Sequence, residues 1–322
     1  MHDDNQFLND RLLGNKFVDK QLLDNQLLLF DDAPYLKPVP FARAGSQKWI
    51  QIAVNHYPDV LRETLRPALH LEDGEDILWL SPRACENFRE YRDKVALRRL
   101  GIHLPERRLE SFWSNGGPVW DCLGKTTLGR YLFIESKAHI GEIFSPPTRA
   151  TYPARTLIEQ SLNEARQHYA PWSKANWCGL GFQCANRLAF QYLIGELNRV
   201  PSHTVFLYFT NCREMNGPTS PRGWHRAIAS LHRILGLPPT LDFPNVHEVF
   251  LDIRQLGDKT SLESDGMPLP EKTIIHEHRA RCRDFPHRKY SRSTVENDRT
   301  PLPLTCINSS FDVLSEESLG TS

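Results

Sequence analysis

Between Arg130 and His139 the chain carries an apolar strand that ends in two opposite charges. The run Tyr131-Leu132-Phe133-Ile134 passes without a break into Glu135-Ser136-Lys137. Side chains in a strand alternate faces with a period of two, so Leu132, Ile134 and Ser136 share one face, and Phe133, Glu135 and Lys137 the other. An apolar run of this kind is expected inside a sheet covered on both faces. Charges on such a strand are costly unless they pair or hold a cation. A rim position at the strand end, open to a cleft, would allow both. With the strands and helices read below, the chain is expected to be α/β, with a mixed central β-sheet flanked by helices.

The flanking sequence supplies partners for that strand. Val119 to Leu123 is predicted as the preceding strand, with Gly116-Gly117-Pro118 breaking the chain before it and Gly124 to Gly129 forming the turn after it. Ile77 to Leu80, His203 to Phe209 and Glu248 to Ile253 are further predicted strands. Helices are expected at Gln47–His56, Asp59–Leu69, 154–169, 179–198 and Trp224–Leu235. Ser81-Pro82 is read as the N-cap and first residue of a helix with the apolar face Ala84, Phe88, Tyr91 and Val95. A second helix is expected from Pro105 to Trp113.

Three segments follow from composition along the chain. Residues 1–40, rich in Asn, Asp, Gln and Leu, are expected to be a poorly ordered arm. Residues 41–256 are the folded domain, with a helical part at its N-terminal side. Residues 257–322 lose apolar periodicity and are expected to form a disordered tail, including the basic stretch Arg279–Arg292. Within it, His276, His278, Cys282 and His287 have the chemistry of zinc ligands, but their spacing fits no finger pattern and no apolar core surrounds them.

Charge and cysteine content narrow the function. Lys plus Arg and Asp plus Glu each number 39, giving zero formal net charge. A chain that binds nucleic acid through global charge is basic. Phosphate recognition here must come from a local cleft or a bound cation. The 7 cysteines contain no Cys-x-x-Cys pair, which fits reduced thiols in the cytoplasm. No apolar run approaches the ~20 residues that span a bilayer, so no membrane partner is expected. No phosphate-binding glycine loop, nucleophile elbow or dinucleotide fingerprint is present.

Glu135-Ser136-Lys137 is the only acidic-x-Lys tripeptide in the chain, and Asp121 lies 14 residues upstream on the preceding predicted strand. Phosphodiester hydrolysis needs charge neutralisation and an activated water, and a divalent ion on one or two carboxylates meets both needs. Asp121 followed by Glu135-x-Lys137 on the next strand resembles the PD-(D/E)XK nuclease superfamily, whose core is α-β-β-β-α-β, as in restriction endonucleases. The phrases Gly116-Gly117-Pro118-Val119-Trp120-Asp121, Ile134-Glu135-Ser136-Lys137-Ala138-His139 and Gln183-Cys184-Ala185-Asn186-Arg187-Leu188-Ala189 also resemble a group of bacterial proteins built on this core. The resemblance covers about residues 75 to 240. Trp120 stands where that superfamily often has proline.

The resemblance implies that Asp121 and Glu135 bind Mg²⁺ or Mn²⁺ and that Lys137 assists the attacking water. Gln183 and Arg187, four apart on one predicted helix, are expected to contact substrate. Either Glu90 or Glu110 is the candidate for a further upstream acidic ligand. Glu142 is expected in a loop. The function implied is a metal-dependent nuclease acting on nucleic acid, with DNA the expected substrate. The alternative is an inactive nucleic-acid-binding or scaffold module of the same fold.

Overall fold

The structure, a computed structural model, describes residues 40–257. The readings of the N-terminal arm and of the C-terminal tail, with its basic stretch and its His/Cys group, lie outside the described residues save for Pro40 and Gly257. The elements are helix α1 (Gly45–His56), α2 (Pro58–Leu69), strand β1 (Ile77–Ser81), the two-residue β2 (Tyr91–Arg92), α3 (Asp93–Leu100), the two-residue β3 (Val119–Trp120), β4 (Cys122–Thr126), β5 (Tyr131–Lys137), α4 (Ala154–Tyr169), α5 (Phe182–Gln191), β6 (Ser202–Thr210), α6 (Pro221–Leu235) and β7 (Val246–Asp252). A π-helical run, Tyr192–Leu197, continues α5.

Five strands form one mixed sheet in the order β1-β4-β5-β6-β7. The first three are antiparallel, and β5, β6 and β7 run parallel. The parallel pairs require crossovers: α4 and α5 join β5 to β6, and α6 joins β6 to β7. β5 lies at the centre, and every residue from Leu132 to Lys137 is buried. Its alternation is the one its sequence predicts. Phe133 packs with Leu123, Phe206 and Tyr208 under α3 to α6. Leu132 and Ile134 pack with Val205, Leu207 and Phe209 under α1 and α2. Each large side chain so buried contributes about 1.5–3 kcal/mol.

The segment from Ser81 to Trp113 departs from its sequence pattern. No helix runs from Ser81 to Val95. Asn87 and Phe88 have φ of 53° and 55°, which end a single short turn, Ala84–Glu86. Phe88 thereby turns inward against Phe41, with ring centroids 4.7 Å apart. Val95, expected in the core, is 46% exposed. The helix expected from Pro105 to Trp113 is only a short turn, Leu109–Ser111. Upstream of it, the amides of Glu106 and Arg107 both donate to Asn198 Oδ1, each at 3.0 Å, and so never enter a helical ladder.

Two further boundaries move. The strand expected over Val119–Leu123 divides at Asp121 into β3, paired with β2, and β4, paired with β1 and β5. The expected turn at Gly124–Gly129 is half strand, because β4 continues to Thr126. Gly124 lies under Trp79, where a Cβ would meet the indole at 3.2 Å.

Candidate active site

Glu135 and Lys137 end β5 side by side on the face covered by α5. Glu135 is 1% exposed and Lys137 8%. The two form an ion pair, and the Lys137 ammonium also donates to Gln183 Oε1 at 3.0 Å. The Arg187 guanidinium, one turn further along α5, pairs with the other Glu135 oxygen, its Nε donating to Oε2 at 2.8 Å. Gln183 and Arg187 face β5 because residues four apart lie on one side of a helix. Arg187 is 3% exposed, and its contacts are inward. It also donates to the Val119 carbonyl at 2.7 Å and to Asn186 Oδ1 at 2.8 Å. Its planar group lies over the Trp120 ring, 4.8 Å from the centroid. Trp120 thus gives the cation a flat aromatic face.

Asp121 sits one step beyond the Cys122–Ile134 pair, which sets it opposite Glu135. Its Oδ2 accepts from the Ser136 amide at 2.7 Å and from Ser136 Oγ at 2.8 Å. Ser136 points away from Glu135 and Lys137, and its amide and hydroxyl together hold the Asp121 carboxylate. Burial, and then the negative charge of Glu135, push the Asp121 carboxyl up to about 7. Glu135 moves the other way. Burial opposes its ionisation, but the charges of Arg187 and Lys137 outweigh that and hold it below the usual carboxylate range.

Glu90 belongs with this group. Burial raises its pKa, a hydrogen bond from Gln47 opposes the rise, and the charge of Glu135 adds to it. Glu110 instead pairs with Lys94 in solvent. Of the two upstream acids, Glu90 is the one beside the site. Glu142 has a defined task at the strand end, where its Oε2 accepts from the Ala138 amide at 2.6 Å. A cavity of about 10 Å³, as volume open to the centre of a water molecule, lies beside Glu135, Lys137, Gln183, Cys184, Tyr208 and Leu231. That is about one water.

Asp121 and Glu90 lie within electrostatic reach of Glu135 and Arg187, and burial is the main cause that raises both carboxyls, with the charge of Glu135 adding to it. Among the described residues no three His, Cys, Asp or Glu side chains converge as a metal cage. The nearest carboxylates are Asp121 and Glu135, and a donor set this small fits only an ion that keeps most of its waters, such as Mg²⁺. A soft, fully ligated metal is a poor fit, because the buried thiol of Cys184 is pushed well up by its burial.

Asp121, Glu135, Lys137, Gln183 and Arg187, all singled out in the sequence, meet at this one place. Ser136, Trp120 and Gln47 were missed. Ser136 occupies the wrong face, and only the Trp120 departure from the superfamily pattern offered a signal. No family model, no curated protein and no solved structure matches the chain. No helix among the described residues is long and apolar enough to cross a membrane.

Proposed function

We propose that the chain is a metal-dependent nuclease of the PD-(D/E)XK kind, hydrolysing phosphodiester bonds in DNA. The observation that carries the reading is that Asp121, at the bend before β4, lies within electrostatic reach of Glu135 and Lys137 at the end of β5. The sheet order adds support, because three antiparallel strands followed by a parallel one with a helical crossover is the strand order of that superfamily's core.

Asp121 and Glu135 would hold Mg²⁺ or Mn²⁺, which when bound supplies positive charge against the phosphate and acidifies a water. The chain's own groups do the rest. Ser136 fixes Asp121, Arg187 fixes Glu135, and Gln183 holds the Lys137 ammonium. Lys137 donates to the attacking water and to the charge that develops on phosphorus. Water oxygen attacks phosphorus directly as its proton passes to solvent, the bond to the leaving sugar oxygen breaks, that oxygen takes up a proton from solvent, and no covalent enzyme intermediate forms. Gln183 and Arg187, expected to contact substrate, have Lys137 and Glu135 as their partners, so each acts as a positioning residue, Gln183 through Lys137 and Arg187 through Glu135. Five described cysteines, all free, favour a reducing cytoplasmic setting.

A second reading has one observation in its favour: both Glu135 oxygens are already engaged, by Lys137 and Arg187. It makes the chain a nucleic-acid-binding module that does not cut. Incubation of plasmid, single-stranded DNA and RNA with Mg²⁺, Mn²⁺ or EDTA separates the two. Metal-dependent cutting that is lost in both Asp121→Ala and Lys137→Ala supports the nuclease. Intact substrates with a folded wild type leave the binding module.

A further inference from the structure

The chain has no net charge, yet α6 is one-sided. From Met215 to Leu241 the sequence holds no Asp or Glu. Trp224, Ala227, Ile228, Leu231 and Leu235 turn one face of α6 into the core. Arg222, His225, Arg226 and Arg233 are exposed on the other. At 3.6 residues per turn, the three arginines fall within an arc of about 40° and span about 16 Å of helix axis.

Their alignment on one helix face with no acid beside them sets them apart. Half-buried Arg62 and Arg66 on α2 pair with Glu63, half-buried Arg155 on α4 with Glu159, and exposed Arg254 with Asp252. Exposed arginines such as Arg89, Arg108 and Arg149 are also outside any ion pair among the described residues, but they stand singly rather than in a row. Among the described residues, none of the α6 arginines forms an ion pair. Arg222 and Arg226, four apart with nothing acidic between them, repel each other. A surface that accepts this repulsion is suited to an anionic partner.

Position selects the partner. α6 flanks the candidate active site: Leu231 lines the cavity beside Glu135 and Lys137. The chain leading into α6 packs on the end of β5, where Gly217 meets the Ala138 carbonyl so closely that a Cβ would stand 2.2 Å from its oxygen. The approach to α6, through Gly217, and the body of the helix, through Leu231, both lie against the candidate site, so the arginine row runs alongside it. One anion would not need the length of this row. A regular polyanion would, and about 16 Å of axis matches about five base pairs at 3.4 Å each.

We propose that the exposed face of α6 is a phosphate-backbone track for duplex DNA, with Arg222, Arg226 and Arg233 as its contacts. The proposal rests on the nuclease reading for its choice of partner, but its binding test is independent of cutting. The track reads no bases: its residues are charges on a smooth helix face, so it positions the duplex without selecting sequence.

The test is fluorescence anisotropy of a labelled duplex of about 20 base pairs in EDTA, over roughly 50 to 200 mM salt. Wild type is compared with Arg222→Glu/Arg226→Glu/Arg233→Glu, all exposed positions, with folding checked by circular dichroism. Arg62→Glu/Arg66→Glu, on the helix layer across the sheet, controls for charge alone. The triple variant is expected to bind at least about tenfold more weakly at low salt, with a slope of log K against log salt shallower by about 2 to 3. The control should keep the wild-type slope. Unchanged affinity and slope in the triple variant overturns the track even if the wild type cuts DNA. Absence of duplex binding by wild type, or equal loss in the control, also overturns it. Track-dependent binding without metal-dependent cutting sustains the track and removes the nuclease.

Discussion

Removing the Arg187 guanidinium would leave Glu135 on a fully covered strand with only Lys137 to offset its charge. Arg187→Ala is expected to cost about 3–5 kcal/mol in urea unfolding, the range for stripping one partner from a buried pair. Arg187→Lys should recover only part of this, because a single ammonium cannot serve Glu135 and the Val119 carbonyl together. Asp121 presents the opposite case. Its carboxyl is raised to about 7, so its favourable contribution to folding is present below about pH 4 and is lost as pH rises through about 7. Asp121→Asn keeps an oxygen for Ser136 and carries no charge. Metal-free protein at pH 8 should therefore gain about 2 kcal/mol from this change while cleavage falls, measurable by parallel denaturation and plasmid assays. Glu135 and Lys137 were legible in the sequence because strand alternation has a strict period. The identity of their counter-ion was not, because Arg187 comes from a segment 50-odd positions away and no local pattern names its partner.

Elements whose apolar faces repeat cleanly were legible, and α1, α2, α4, α6 and all five strands of the sheet lie where their periodicity puts them, within a few residues. The failures between Ser81 and Trp113 share a cause. Backbone groups there are satisfied by distant or non-repeating partners, such as Asn198 for Glu106 and Arg107, and left-handed residues such as Asn87 and Phe88 cut a pattern that looked helical. Asp121 escaped as a bend for a similar reason: its side chain, not its backbone, answers the Ser136 amide. At this scale Gly217 is a sensitive point. A methyl group there meets a carbonyl rather than a flexible side chain, so the loop before α6 must shift. Gly217→Ala should cost about 1–3 kcal/mol. It should also reduce cutting by moving the helix away from the end of β5, and a thermal melt beside a cleavage assay reads both.

Across the whole molecule the sheet has two chemically different ends. Glu135 and Lys137 lie toward the C-terminal ends of the parallel strands, while His203 and His247 meet near their N-terminal ends, ring nitrogens 3.0 Å apart. Burial is the main cause that lowers both imidazoles to about 4. A base whose folded pKa is depressed binds fewer protons than in the unfolded chain, so stability is complete above about pH 6.5 and is lost as pH falls through about 4. The pair should therefore weaken the fold progressively over that interval. His203→Asn/His247→Asn should flatten the acid side of a plot of denaturation midpoint against pH. The two ends also mature at different moments. A nascent chain that has emerged only as far as Ile140 already contains Asp121, Glu135 and Lys137 on neighbouring strands, but it lacks Arg187 and β6. Glu135 then has half its counter-charge and an uncovered edge beside it, so the layer cannot close over the acid. Burial of that carboxylate and docking of α5 are one event, and the same event completes the parallel pairing. An unfinished chain therefore holds the acids without the surroundings that order them, and the arrangement at this end of the sheet is withheld until synthesis has passed the first crossover and β6.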